Sequence, residues 1–231
     1  IKQLTTSDKN ETDPSWLDNN TIAFLSGGQI WTTAVDGSKR SKLTSDKTDI
    51  EGFKFSPDRK KVIIIKSLPY YGSIKKNPSD LPKATGRLIT DMNYRHWDHY
   101  VESIPHPFVA NVASDGTIDE GTDVLKNEPY ECPMAPFGGI EQIDWSKDSK
   151  FVAYTCRKKE GVKYAISTDA DIYLYNVETH QTRNLCKDDA DKELLKEWAH
   201  ADSTVDAAKS MRNQSVDSKK FQSLNVGYDV N

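Results

Sequence analysis

The residues of this chain best equipped for chemistry lie together in Tyr94-Arg95-His96-Trp97-Asp98-His99-Tyr100. Side chains alternate along a strand, so this stretch read as one places Tyr94, His96, Asp98 and Tyr100 on one face and Arg95, Trp97 and His99 on the other. The planar fork of Arg95 suits a carboxylate, Trp97 offers a flat apolar wall, and Asp98 can pair with Arg95 or hold a free amine. Two mixed aromatic and charged faces fit a surface that touches a peptide or a neighbouring domain. They fit equally an inter-strand cluster that only anchors its segment. Arg95, His96, Trp97 and Asp98 are the candidate substrate-binding residues.

Metal chemistry finds less support. His96 and His99 are three apart, which on a strand sends them to opposite faces, and His106 is near them only in sequence. Cys132, Cys156 and Cys186 have no metal-ligand spacing, and their odd number leaves at least one thiol unpaired. Each reads as a buried structural cysteine. Asp188, Asp189 and Asp191 lack the Gly and distal Glu of a calcium loop. No G-x-S-x-G elbow, Gly-rich phosphate loop, H-E-x-x-H or C-x-x-C is present, so no cofactor is expected and no complete catalytic site is expected within this chain. With 31 basic against 35 acidic residues the formal charge is -4, which predicts no nucleic-acid partner. The longest apolar run, at 62–65, is far short of the ~20 residues a membrane span needs.

A repeated phrase must position these residues. Trp16-Leu17-Asp18-Asn19-Asn20-Thr21-Ile22, Phe55-Ser56-Pro57-Asp58-Arg59-Lys60-Lys61-Val62 and Trp145-Ser146-Lys147-Asp148-Ser149-Lys150-Phe151 each give an aromatic residue, a polar turn around Asp and an apolar run. Further hairpins follow in register, with Asp36-Gly37-Ser38, Asp115-Gly116-Thr117 and Glu178-Thr179-His180 at their turns. Four short strands in roughly 40 to 45 residues is the period of a β-propeller blade. The expected fold is all-β: a partial β-propeller of about three four-stranded antiparallel blades over 1–187, with an insertion at about 68–107 in the second blade. Trp16, Phe55 and Trp145 are expected at equivalent places, each buried between blades.

Propellers close with about four to eight blades, so three blades suggest a piece of a longer polypeptide. Ile1-Lys2-Gln3-Leu4-Thr5 reads as the last strand of an earlier blade, and residues 226–231 as the start of a further one. Between them, 188–225 reads as a helical and mobile insertion. Leu194, Leu195, Trp198, Val205 and Ala208 recur at helical spacing, and Asp188, Asp189 and Asp191 crowd the helix start. Glu193 and Glu197 share a face at i and i+4, where each can pair with a neighbouring lysine.

The Phe55–Val62 phrase, the Asp-Gly turns ending in Leu-Thr, and above all Gly86-Arg87-Leu88-Ile89-Thr90-Asp91-Met92-Asn93-Tyr94-Arg95-His96-Trp97-Asp98 resemble the amino-terminal propeller of the prolyl oligopeptidase family of serine peptidases. The bacterial dipeptidyl peptidase and acylaminoacyl peptidase branch is the nearest. The resemblance covers about residues 4–185. It implies a propeller that caps a C-terminal α/β-hydrolase domain of the same polypeptide and admits short peptides, with the catalytic Ser, Asp and His in that other domain. The parent protein is then a serine peptidase, exported to the periplasm or beyond. Glu193 and Glu197 do not match the paired glutamates with which some dipeptidyl peptidases hold a substrate amine. The other class left open is a TolB-like propeller that binds protein or carbohydrate with no hydrolase attached.

Overall fold

The computed structural model of the protein describes residues 1–70, 73–74, 83, 88–89 and 101–186. The first sheet contains β1 (Glu11–Trp16), β2 (Thr21–Ser26), β3 (Gln29–Ala34) and β4 (Ser41–Lys42). The second is built from β5 (Ile50–Phe55), β6 (Lys61–Pro69), β9 (Ser103–Asn111) and β10 (Thr122–Asp123). Inserted within it is a separate ladder of β7 (Ser73–Ile74) and β8 (Leu88–Ile89). The third holds β11 (Ile143–Trp145), β12 (Phe151–Cys156), β13 (Asp171–Asn176) and β14 (Thr182–Asn184), with a short helix, α1 (Gly161–Ile166), between β12 and β13. Every pairing is antiparallel and each sheet is a simple meander, the arrangement of successive propeller blades.

Alternation along the strands explains the stacking. In β6, Val62 and Ile64 join Ala23, Leu25, Ile30, Phe53 and Phe108 in the core between blades 1 and 2. Ile63 and Ile65 point the other way, into a core with Val109, Ile143, Trp145, Val152 and Tyr154 between blades 2 and 3. A continuous apolar run is thus what a strand buried on both faces requires. Pro105 and Pro107 lie in the interior strand β9, where a missing N–H normally breaks a ladder. Their carbonyls accept from Cys132 and Val124 at 2.9 Å, so their backbone faces the short β10 side, away from the nine-residue β6.

The repeated phrase forms the same turn in blades 2 and 3. The Ser56 hydroxyl donates to Asp58 at 2.7 Å and accepts from the Lys61 N–H, while the Lys60 N–H donates to Asp58. Ser146, Asp148, Lys150 and Phe151 repeat this set, and Arg59 and Ser149 hold the matching left-handed positions at φ 60 and 63. Burial opposes the charged form of Asp58, yet the Ser56 hydroxyl and Lys60 N–H hold its pKa below the usual carboxylate value. Its N–H donates to the Ser149 hydroxyl at 3.1 Å, which sets the turns of blades 2 and 3 side by side.

Trp16, Phe55 and Trp145 do occupy equivalent places, each ending the first strand of its sheet opposite Ile22, Val62 and Val152. Their burial differs. Trp145 is 4% exposed and its indole donates to the Lys54 carbonyl of blade 2 at 2.9 Å, and Phe55 is partly buried against the first core. Trp16 is 66% exposed, because among the described residues no sheet lies on the side of blade 1 that corresponds to blade 2's position beside Trp145. Residues 1–5, expected as a strand, carry no ladder for the same reason. The Lys2 ammonium instead reaches the Asp36 carbonyl at 2.7 Å. Residues 188–225 and 226–231 lie outside the described residues.

Two measurements follow from this packing. In urea denaturation of the chain, Trp145→Ala is expected to cost about 3–5 kcal/mol, while Trp16→Ala stays within about 0.5 kcal/mol; equal losses at both positions would refute the assigned packing. A carboxylate whose pKa is lowered on folding stabilises above its unfolded value of 3.8 and loses that contribution as pH falls through the lower folded value. The stability gap between wild type and Asp58→Asn should therefore be present at neutral pH and narrow in acid below about pH 4. A gap that persists unchanged at low pH would contradict it.

Candidate functional site

Equivalent meanders send equivalent connections to the same end of their sheets. The first-to-second and third-to-fourth turns, built around Asp58, Asp148, Asp36 and Asp115, occupy one face. The second-to-third connections and the links between blades occupy the opposite face. In blade 1 the second-to-third connection is the two-residue Gly27-Gly28 turn, with φ 56 and 69. A side chain at Gly28 would collide with the Asp49 carboxylate, so this hairpin stays tight. In blade 2 the same connection expands to residues 70–102, and in blade 3 to residues 157–170. Both expansions therefore leave from one face of the molecule.

Two consecutive residues of the link between blades 2 and 3 bridge their bases. The Cys132 N–H donates to the Pro105 carbonyl at 2.9 Å, beside the stem of the first expansion. The Glu131 carbonyl accepts from the Cys156 thiol at 3.4 Å, at the root of the second. The first stem is fixed further by the Tyr70 N–H to Glu102 carbonyl bond at 2.9 Å and by packing of Tyr70, Val101 and Ile104.

The heptapeptide with Arg95, His96, Trp97 and Asp98 belongs to that first expansion and lies outside the described residues. His106 sits in β9, buried, with Nδ1 at 3.1 Å from both Asp123 oxygens. It is paired in register with Lys66 of β6. Lys66 is also buried: its ammonium lies 2.7 Å from Asp46, 2.8 Å from the Glu120 carbonyl and 4.1 Å from the centre of the Phe108 ring. These two basic groups are committed to blade architecture.

The second expansion is described in full, and the sequence did not single it out, having placed the later insertion after Leu185. Two contacts clamp its arms together. Arg157 donates to the Ser167 carbonyl at 2.7 Å with its guanidinium 4.2 Å from the centre of the Tyr164 ring, and Lys159 pairs with Asp169 at 3.1 Å. The Lys158 ammonium pairs with Glu128 and lies 4.3 Å from the Tyr173 ring centre. Tyr130 donates to Glu160 at 3.2 Å, and burial followed by the Glu160 carboxylate pushes its pKa up. Tyr130, Lys158, Lys159, Glu160, Val162 and Lys163 line an open groove of about 630 Å³. The signal available in sequence was Arg157-Lys158-Lys159-Glu160-Gly161, a charged run between two strands that is too long for a hairpin turn.

This face can hold a polar, partly anionic ligand through lysines and a tyrosine wall. It presents no activated thiol among the described residues. Burial raises the Cys156 pKa to about 12 and lifts that of Cys132 well above the ordinary thiol value, so both stay protonated near neutral pH. Cys186, expected to be buried, is exposed, because it follows the edge strand β14, which among the described residues no further strand covers; its sulfur accepts from the Ile172 N–H at 3.3 Å.

No protein-family model matches the chain. Among curated proteins it is 47% identical over 189 residues to the dipeptidyl-peptidase 5 of Porphyromonas gingivalis, a match covering 80% of this chain and 28% of that protein. The dipeptidyl-peptidase 5 of Porphyromonas endodontalis is 36% identical over 189 residues, covering 80% of this chain and 27% of its own. The chain thus spans little more than a quarter of the length of the curated relatives it matches. A solved structure of the Pyrococcus horikoshii acylaminoacyl peptidase superposes with a TM-score of 0.49 at 12% identity, over 77% of this chain and 25% of that one. Homology to proteins named dipeptidyl-peptidase 5 accordingly extends over 80% of this chain.

Thiol accessibility tests the arrangement at the bases of the two expansions. Of the 3 cysteines, Cys186 alone is expected to react promptly with a thiol reagent at mildly alkaline pH, and all three in denaturant. Prompt labelling of Cys132 or Cys156 in the native chain, located by peptide mapping, would contradict the link described between blades 2 and 3.

Proposed function

We propose that this chain is the propeller segment of a serine dipeptidyl peptidase, capping the hydrolase domain of the same polypeptide and recognising short peptides. The observation that carries the reading is the 47% identity over 189 residues to a protein named dipeptidyl-peptidase 5. The geometry supports it through a division of labour. One face consists of regular Asp-anchored turns, while the other carries both expanded connections on a rigid scaffold, where binding residues concentrate.

In this reading the nucleophile, its base and the oxyanion site belong to the hydrolase domain, because acyl transfer needs all three held together. The propeller contributes access and recognition. The expansion at 70–102 carries Arg95, whose fork pairs with a substrate carboxylate, and Trp97, which walls the path. Asp98 pairs with Arg95 or holds the free amine of the peptide. An enzyme that trims short peptides works where they arrive, which places the parent protein in the periplasm or beyond it.

The test uses the full-length enzyme. Arg95→Ala and Trp97→Ala are each expected to lower kcat/KM for dipeptidyl substrates by about 10-fold, on the order of 1.4 kcal/mol of lost transition-state stabilisation, with little change in melting temperature. Variants that melt early but keep normal kinetics in the surviving fold would make the cluster an anchor and remove the recognition role. The isolated chain is expected to hydrolyse no dipeptidyl or acylaminoacyl reporter. Turnover abolished by a serine-directed inhibitor would overturn the assignment of catalysis to another domain.

A further inference from the structure

The carboxylates around the groove of the second expansion are all engaged, and one of its cations is left over. Lys158 pairs with Glu128, and Lys159 with Asp169 at 3.1 Å. Glu160 stands three residues before Lys163, a spacing at which opposite charges on a helical turn can meet. Its carboxylate instead accepts from the Tyr130 hydroxyl at 3.2 Å. Burial and the Glu160 charge push the Tyr130 pKa up, so the phenol stays protonated and remains a donor. Tyr130 is itself held in place, because Glu131 and Cys132, which follow it, carry the backbone bonds to both expansion roots. The exposed Lys163 ammonium consequently has no ion pair or hydrogen bond among the described residues.

An unpaired surface lysine is ordinary by itself. This one borders a groove of about 630 Å³, within the size range of small-ligand sites, between the Tyr130 ring and the 58% exposed Val162. Three lysines and one glutamate line the groove, so it favours an anion. The apolar surface of Tyr130 and Val162 favours an anion carried on methylenes. We infer that the groove is a subsite for an acidic side chain of the peptide, with Lys163 meeting its carboxylate and Tyr130 and Val162 flanking its stem. This rests on the proposed peptidase function. Only two residues lie on the amine side of the bond a dipeptidyl peptidase cuts, and the hydrolase domain holds that bond. The residues free to reach a separate groove on the propeller are therefore those beyond the cut.

The test uses the full-length protein and C-terminally amidated hexapeptides, which lack a terminal carboxylate, with glutamate or glutamine at the third, fourth or fifth residue. At low ionic strength the wild type is expected to favour glutamate in kcat/KM by about threefold at one or more of these positions, and to lose most of that preference in high salt, as an exposed ion pair does. Lys163→Gln should abolish the preference and Lys163→Arg should keep it. Tyr130→Phe should reduce it, because the released Glu160 carboxylate then competes for Lys163. Fluorescence anisotropy with the same peptides, labelled, makes the same comparison as affinity and needs no turnover. A wild type that releases no dipeptide would remove the peptidase reading alone, and the affinities would still decide the groove. Equal treatment of glutamate and glutamine by the wild type, in turnover and in affinity, overturns the proposal. A preference that survives Lys163→Gln overturns it too, since the acidic contact then lies elsewhere in the polypeptide.

Discussion

Blade 2 has to bury both of its faces at once, and the rest of the structure depends on that constraint. Val62, Ile63, Ile64 and Ile65 are all essentially inaccessible, with alternate members committed to opposite neighbours. Each such side chain contributes about 1.5–3 kcal/mol relative to exposure. A slip of one residue in β6 would exchange the two sets, but both sets are aliphatic, so apolar burial alone specifies the register weakly.

Polar contacts remove that ambiguity. Between blades 1 and 2, Gln29 accepts from Thr44 and from the Asp46 N–H, and the Asp46 carboxylate receives Lys66. A buried ion pair adds little net stability, yet leaving either partner alone costs about 3–5 kcal/mol, which penalises any register that separates Lys66 from Asp46. Between blades 2 and 3 the Trp145 indole donates to the Lys54 carbonyl, and the Lys54 ammonium returns a bond to the Ile143 carbonyl at 2.6 Å. Apolar area holds the sheets together, while these directional bonds fix how they sit.

The same economy separates the two faces. Asp36, Asp58, Asp115 and Asp148 accept hydroxyl and backbone bonds from their own turns, which keeps the connections on one face short. On the other face only blade 1 keeps a two-residue turn. The longer connections of blades 2 and 3 are tolerated because loop closure grows only slowly with length, and Glu131 and Cys132 tie both roots to one link. Variation in the long connections can then change that face without disturbing the blades.

The strand-turn-strand repeat and its period were legible in the residues, because local chemistry dictates them: an aromatic, an Asp-anchored turn and a β-branched run form a hairpin wherever they occur. The equivalence of Trp16, Phe55 and Trp145 was legible for the same reason. Their burial was not, since it depends on whether a neighbouring sheet is present, and only packing supplies that; Trp145 has blade 2 beside it and Trp16 is exposed. Cys186 emerged exposed by the same logic, at the edge of the last described sheet. Arg95, His96, Trp97 and Asp98 were singled out by residue type and spacing alone, and they lie outside the described residues. That the 70–102 and 157–170 expansions leave from one face, with bases bridged by Glu131 and Cys132, was decided by tertiary structure, because the bridging bonds join residues 27 and 25 positions apart that no local pattern connects.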